Sequence, residues 1–221
     1  MPSGFTLMEI LLAILILGIL FTTIYGAWAT VSKTTRAVTD DIVDYEVAEI
    51  CLSRMIMDLQ GLVIARRPAY IDPEPNSEPD PYRMVATTSD PAAPFSGLRF
   101  TARSHLPMAD ETRNGIAQIL YYLDSQNGSP PYVIRRADIL FPYETPEPRP
   151  TDPILCEGVR ELTFIFYDQD GQTHEQWDSE SDDVGFATPR AISIDLKIGN
   201  EEAPKRFETM IVFPIYRDKK E

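Results

Sequence analysis

Histidine and cysteine are scarce in this sequence, and their scarcity limits the chemistry that the chain can carry. Each type occurs twice among 221 residues, and no CxxC pair is present. His174 and Glu175 begin an H-E-x-x-H pattern, but the fifth position is Asp178, so a zinc ion would lack its second ligand. A nucleophile elbow and a phosphate-binding glycine loop are also missing. We therefore predict no catalytic site, no cofactor and no metal site, and hence no enzyme.

Positive charge is sparse as well. The chain has 20 basic against 34 acidic residues, which gives a formal net charge of -14 at pH 7. The pairs Arg66-Arg67 and Arg135-Arg136 are too short to form a binding stripe. Because an acidic surface repels phosphate backbones, we exclude nucleic acid as a partner.

Proline is absent between Pro2 and Pro68, which leaves room for a long helix at the start of the chain. Within that stretch residues 5–29 are almost entirely apolar, and the only side chain charged at neutral pH is Glu9. About 25 such residues suffice for a helix that crosses a bilayer. A removable secretory signal would need a basic lead and a small-x-small cleavage site, and neither is present. We therefore predict a permanent membrane helix over residues 5–29.

The helix is expected to continue through residues 30–65 as an amphipathic segment. Apolar side chains recur there at steps of three and four residues, with acidic residues elsewhere around the helix. The threonine-rich junction 30–39 is a place where the helix would bend or unwind. We expect the apolar stripe to pack on the core of a globular head. Its members are Val43, Val47, Ile50, Cys51, Met55, Leu59 and Leu62.

Beyond the helix the composition changes twice. Residues 66–97 contain seven prolines and few large apolar side chains, so we expect a surface insert. Residues 98–221 contain runs rich in β-branched and aromatic side chains, broken by turn-forming residues, and these predict an antiparallel sheet. The fold class is therefore α+β, a long N-terminal helix packed on a mainly antiparallel β-sheet head. The predicted strands are 98–103, 116–123, 132–136, 161–168, 191–198 and 207–215.

An acidic run between Asp178 and Asp183 has two interpretations. Its four carboxylates could hold Ca²⁺, but they lack the ordered spacing of a calcium-binding loop. That departure favours a solvated acidic loop. Trp177, which precedes the run, is expected to pack on the sheet.

Cys51 and Cys156 leave two alternatives open. A head in an oxidising compartment could join them in a disulfide. Two cysteines far apart in the sequence are equally consistent with buried free thiols.

Glu9 is unusual because it is a carboxylate inside an apolar run. At mid-membrane it would cost on the order of 2.5 to 3.5 kcal/mol, so it would need a partner there. Near the lipid headgroups it would need none, because a carboxylate is stabilised at the positive end of the helix dipole.

The segment from Gly4 to Glu9, with the sequence GFTLME before an apolar helix, resembles the class III signal of type IV pilins and type II secretion pseudopilins. The resemblance implies that a prepilin peptidase removes residues 1–4 by cutting between Gly4 and Phe5, and methylates the new amino group of Phe5. It also implies that Glu9 assists assembly by neutralising the N-terminal amine of a neighbouring subunit. Such a pair avoids most of the cost of an unpaired buried charge.

The head resembles the J-type minor pseudopilins of type II secretion, known as the general secretion pathway protein J family. This likeness implies a pilin-like fold with I-type and K-type minor pseudopilins as partners, contacted through the helix and the head. It further implies a single-pass inner-membrane protein with a periplasmic head. Such a protein interacts with the inner-membrane assembly platform and is a subunit of a pseudopilus tip complex. That complex supports export of folded proteins across the outer membrane. The segments that carry it are residues 119–123, 132–136, 155–162, 164–168 and 189–192, with Gly171 and Trp177.

Two other functions stay open on the sequence. A minor type IV pilin would share the N-terminal signal, and a membrane-anchored periplasmic binding module would use the helix only as an anchor. The missing catalytic set favours an assembly subunit.

Overall fold

The computed structural model describes residues 6–74, 77–87, 97–107, 114–125, 128–140 and 147–220, apart from the side chains of residues 36, 37 and 40. The chain divides into two compact units, Met1–Tyr45 and Glu46–Glu221. The cleavage residues Gly4 and Phe5 lie outside the described residues.

One long helix, α1, spans Leu7–Gln60. It remains α-helical through the threonine-rich junction, so the helix does not unwind there, which was one of the two outcomes considered. The helix ends at Gln60, and the Gly61 amide donates to the carbonyls of Met57 and Asp58 at 3.2 and 3.1 Å. After the helix the chain lies beside the sheet at Val63, whose amide donates to the Thr101 carbonyl at 2.8 Å.

The second unit contains an antiparallel sheet. The strands are β1 Val85–Thr87, β2 Gly97–Ala102, β3 Ala117–Asp124, β4 Tyr132–Leu140, β5 Ile154–Tyr167, β6 Thr173–His174, β7 Trp177–Asp178, β8 Ala191–Ile198 and β9 Lys205–Val212. Their order in the sheet is β7-β1-β2-β3-β4-β5-β8-β9, with β6 paired to β5 as a short hairpin. The α+β class and the antiparallel head are therefore confirmed.

The part of α1 within the second unit packs one face on this sheet. This face and the inward side chains of the sheet form one hydrophobic core, and their burial holds the head together. Two members of the expected stripe were placed wrongly, because Val43 precedes the second unit and Ile50 is 65% exposed. The other members agree with the prediction, since Cys51, Met55 and Leu59 are buried and Val47 and Leu62 pack against the core. Within the described part of this face, Ala48 is the one buried apolar residue that the expected stripe did not include.

The proline-rich segment differs from the expected surface insert in its described part. Tyr70, Met84 and Ala86 are buried there. Strand β1 pairs with β2 on one side and with β7 on the other. Val85–Thr87 of this segment therefore belongs to the sheet, because two neighbouring strands supply partners for its backbone.

Candidate assembly surface and head contacts

The first unit contains a long, exposed and mainly apolar helical segment, Leu7–Thr35. An 18-residue window of this segment has a mean hydropathy of 2.6, and none of that window is buried. Exposed fractions of its large apolar side chains run from 50% at Ile16 to 81% at Leu7. By length and composition this segment can cross a membrane. A surface of this kind is stable only against lipid or against other apolar helices.

Threonine hydroxyls along this helix donate back to its own carbonyls. Thr22 donates to the Ile19 carbonyl, and Thr30 to that of Gly26, each at 2.9 Å. Polar groups that bond within the helix need no partner from lipid. The same arrangement is made by Thr23, Thr34, Thr35 and Thr39.

Thr6 and Glu9 form a capping box at the start of α1. The Thr6 amide and hydroxyl donate to Glu9 Oε2 at 2.8 and 2.9 Å. In return the Glu9 amide donates to Thr6 Oγ1 at 3.4 Å. This reciprocal pair satisfies amides that the first helical turn leaves without partners. The T-x-x-E spacing of Thr6 and Glu9 is the signal in the sequence for this second role of Glu9, which its charge alone does not indicate.

Asp58 lies in the head as a buried carboxylate that no sequence pattern indicated. It accepts from Arg54 Nη2 at 2.5 Å, from Arg136 Nε at 2.7 Å, and from the Tyr121 hydroxyl. Its partners come from α1, β4 and β3, so one side chain joins the helix to the middle of the sheet. Charges that are buried together must keep every partner, because removing one leaves the others uncompensated.

The same network extends to Asp138. Arg136 Nη1 donates to Asp138 Oδ2 at 2.7 Å, and His105 Nδ1 lies 2.8 Å from Asp138 Oδ1. Burial would raise the pKa of Asp138, but the contacts with His105, the Leu106 amide and Arg136 outweigh it and lower that pKa. Burial and the neighbouring Asp58 raise the pKa of Tyr121 well above its usual value. The phenol is therefore held as a neutral donor.

Arg217 fastens the C-terminal tail. It donates to the carbonyls of Phe186 and Ser179 at 2.6 Å and of Ala65 at 3.0 Å. Its guanidinium lies 3.3 Å from the ring centre of Tyr70. The planar fork of arginine can bind several carbonyls at once while it stacks on a ring. One residue thus joins the tail, the acidic run and the proline-rich segment.

The acidic run is not a uniformly solvated loop, which corrects that expectation. Asp178 pairs with Arg83, and Glu180 accepts from the Asp80 amide at 2.7 Å. Asp182 and Asp183 are exposed. Burial would raise the pKa of Asp178, but Arg83 outweighs it and lowers that pKa. Among the described residues no cluster of three His, Cys, Asp or Glu side chains could hold a metal ion.

Trp177 packs in the core, as the sequence predicts. Its ring centre is 6.0 Å from that of Phe166, and its indole nitrogen donates to the Ala187 carbonyl at 3.1 Å. A buried indole needs such an acceptor. This contact fixes the start of the acidic run on the sheet.

The two cysteines, distant in sequence, meet in the core. Cys51 on α1 and Cys156 on β5 are both buried free thiols. The neighbouring thiol of Cys156 and burial raise the pKa of the Cys51 thiol.

Comparison with known proteins gives two family matches. The family described as Type II secretion system (T2SS), protein J matches residues 27–209, which is more than three quarters of the chain. The Prokaryotic N-terminal methylation motif matches residues 2–25. A search among curated proteins finds no match.

Proposed function

The chain belongs to the family of type II secretion system protein J and is a minor pseudopilin of that system, and we propose that it is a structural subunit of the pseudopilus tip complex. In that place it joins I-type and K-type minor pseudopilins and supports export of folded proteins across the outer membrane. The observation that carries the proposal is the long, exposed and mainly apolar segment Leu7–Thr35. The segment anchors the chain in a membrane and packs against other helices when the subunit enters a filament.

We propose that a prepilin peptidase cuts between Gly4 and Phe5 and methylates the amino group of Phe5. The match of the methylation motif to residues 2–25 supports this step. Co-expression with a prepilin peptidase should yield a mature chain that begins at N-methylated Phe5, measured by intact mass. A chain that still begins at Met1 would contradict the processing step.

Glu9 is proposed to receive the N-terminal ammonium of a neighbouring subunit. Among the described residues both bonds to its carboxylate end on Oε2, so Oε1 is the oxygen for a second donor. A carboxylate and an ammonium that meet in apolar surroundings attract each other strongly, because a medium of low dielectric constant screens their charges much less than water does.

The single pass through the inner membrane is proposed to place the head in the periplasm. A head of net negative charge on that side would remain soluble before assembly. The inner-membrane assembly platform would then act on the exposed helix. Protease added to intact spheroplasts should degrade the head, and a head protected until lysis would contradict this orientation.

A groove beside α1 is the proposed contact surface of the head. It has a volume of about 460 Å³. Ile50 and Ile154 on its walls are 65% and 49% exposed, and Met57 is 53% exposed. Apolar side chains at this level of exposure gain stability when a partner covers them.

Co-purification in detergent tests this assignment. The full chain should retain I-type and K-type minor pseudopilins, and Met57→Glu should abolish that retention because it places a charge in the groove. Met210→Glu is the matched control, since Met210 on β9 has the same 53% exposure outside the groove. Retention of neither partner by the unaltered chain would overturn the tip assignment.

A further inference from the structure

We propose that Cys51 and Cys156 form a disulfide that fastens α1 to β5 when the chain folds in an oxidising compartment. The evidence that the two cysteines pair comes from the core of the head alone. The formation of the disulfide in the cell depends in addition on the proposed periplasmic location of the head.

The placement of the two thiols carries the proposal. Cys51 lies on the buried face of α1 between Ala48 and Met55. Cys156 lies in β5 opposite Ile134 of β4. Both side chains are buried in the same core, and their neighbours in the chain, Ile50 and Leu155, line one groove. The Cys156 thiol also raises the pKa of the Cys51 thiol, which is consistent with close approach of the two side chains. Bridged cysteines have Cβ atoms about 3.5–4.5 Å apart, which requires a close approach of this kind.

The surroundings favour a bridge over two free thiols. Among the described residues, the Cys156 sulfur makes one long contact, at 3.9 Å to the Glu157 carbonyl. A disulfide has no S–H donor to satisfy, so closing the bridge removes two weakly bonded polar groups from an apolar core.

The reaction is an ordinary thiol–disulfide exchange. A thiolate of one cysteine attacks a disulfide of the oxidant, which forms a mixed disulfide and releases one oxidant thiol. The second cysteine then attacks the protein sulfur of the mixed disulfide and releases the other thiol. The two cysteines lose two protons and two electrons, and the oxidant disulfide is reduced to two thiols. The oxidant belongs to the class of glutathione disulfide or a protein dithiol oxidase.

The burial of Cys51 determines when the disulfide can form. Only the thiolate attacks, and the folded head keeps Cys51 protonated and shielded from an oxidant. The bridge therefore forms during folding, before the helix closes on the sheet. Once formed, it encloses a loop of about one hundred residues, which restricts the unfolded chain strongly.

The first test uses the full chain in detergent. Reduced protein is unfolded in denaturant and refolded in a mixture of oxidised and reduced glutathione. We expect a mass lower by about 2 Da, no alkylation by maleimide after denaturation, and a melting temperature about 10 °C above that of the reduced chain. A reductant should reverse all three. Reduced chain kept folded should oxidise at least tenfold more slowly.

Cys51→Ser and Cys156→Ser are the paired controls, and each should leave one alkylated thiol and no response of the melting temperature to reductant. If either variant fails to fold, the comparison of the unaltered chain with and without reductant still shows whether the disulfide has formed. Two alkylated thiols after oxidative refolding would overturn the pairing, whatever the function of the protein.

The second test examines the chain in cells. Membranes are quenched in acid and alkylated at once, and the thiols of the full chain are counted by mass. No free thiol supports formation in the cell. A bridge that forms in vitro but is absent from cells would overturn its formation there and count against an oxidising location of the head, with the pairing itself retained.

Discussion

Asp58 shows how much the stability of a small head can depend on one side chain. Asp58→Asn keeps the shape but removes the charge that Arg136 and Arg54 face in the core. Breaking a buried pair in this way costs about 3–5 kcal/mol, since the remaining charges lose their compensation. Urea unfolding should therefore give a correspondingly lower free energy of unfolding for this variant.

Asp195→Asn is the matched control for that substitution. Asp195 pairs with Arg206, whose side chain is 58% exposed, through contacts of 3.0 and 2.9 Å. Solvent screens such a pair, so the change should cost about 0–1 kcal/mol. Equal losses in the two variants would contradict the role of the buried network.

Glu9 has two roles that one substitution can separate. Glu9→Gln keeps a side chain that can complete the capping box, but it removes the charge that an ammonium would need. We expect unchanged membrane insertion, measured by carbonate extraction, and at least tenfold lower secretion of a reporter substrate. Thr6→Ala makes the opposite change, since it removes the hydroxyl of the box and keeps the carboxylate. Normal secretion by Glu9→Gln would show that capping alone explains this residue.

At the scale of the element, α1 allows a comparison within one turn. Met55 is buried in the core, whereas Met57 is 53% exposed. Met55→Ala should lower the free energy of unfolding by about 2–5 kcal/mol because it leaves a cavity. Met57→Ala should change it by about 0.5 kcal/mol or less. Thermal unfolding measures both, and a similar shift in the two variants would contradict this placement of the helix face.

The elements also show what sequence patterns can and cannot establish. Strand β8 has the predicted bounds, because Ile192, Ile194 and Leu196 alternate with polar residues. Strands β6 and β7 have two residues each, which is too short for any alternation to be visible. Strand β5 begins at Ile154 and extends through Gly158, whose φ of +69° accompanies a register shift in the pairing with β4 that interrupts the pattern.

The contacts of the head were harder to predict than its strands. Asp58 resembles any acidic residue on a solvated helix face until folding brings Arg136 and Tyr121 to it. The capping box and the signal from Gly4 to Glu9 are local, so their spacing is readable in the sequence. Long-range polar networks have no such spacing.

At the scale of the whole molecule, acid should loosen the head. In the folded chain burial would raise the pKa of Asp168, but Lys219, the amides of Gln172 and Asp170, and His174 lower it to about 2 from an ordinary value of 3.8. A group with a lowered pKa stabilises the fold above its ordinary pKa, and this contribution is lost as the pH falls through about 2. The pKa values of Asp138 and Asp178 are lowered too, so their effects have the same sign.

Asp168→Asn tests this acid dependence. The amide oxygen can still accept from Asp170 and Gln172, which the native side chain bonds at 2.9 and 2.8 Å, but the ion pair with Lys219 is lost. The variant should be less stable than the native chain at pH 7, and the difference should shrink between pH 4 and pH 2. Urea unfolding at several pH values measures it, and a constant difference would contradict the assignment.

The threonines of the apolar helix have a consequence for how a subunit changes its surroundings. Each of the six hydroxyls already has an acceptor within the helix. Replacing lipid by neighbouring helices therefore breaks no hydrogen bond of these six side chains. The threonines thus add no polar barrier when the helix passes between bilayer and filament, whereas the charge of Glu9 contributes to the free energy of that exchange.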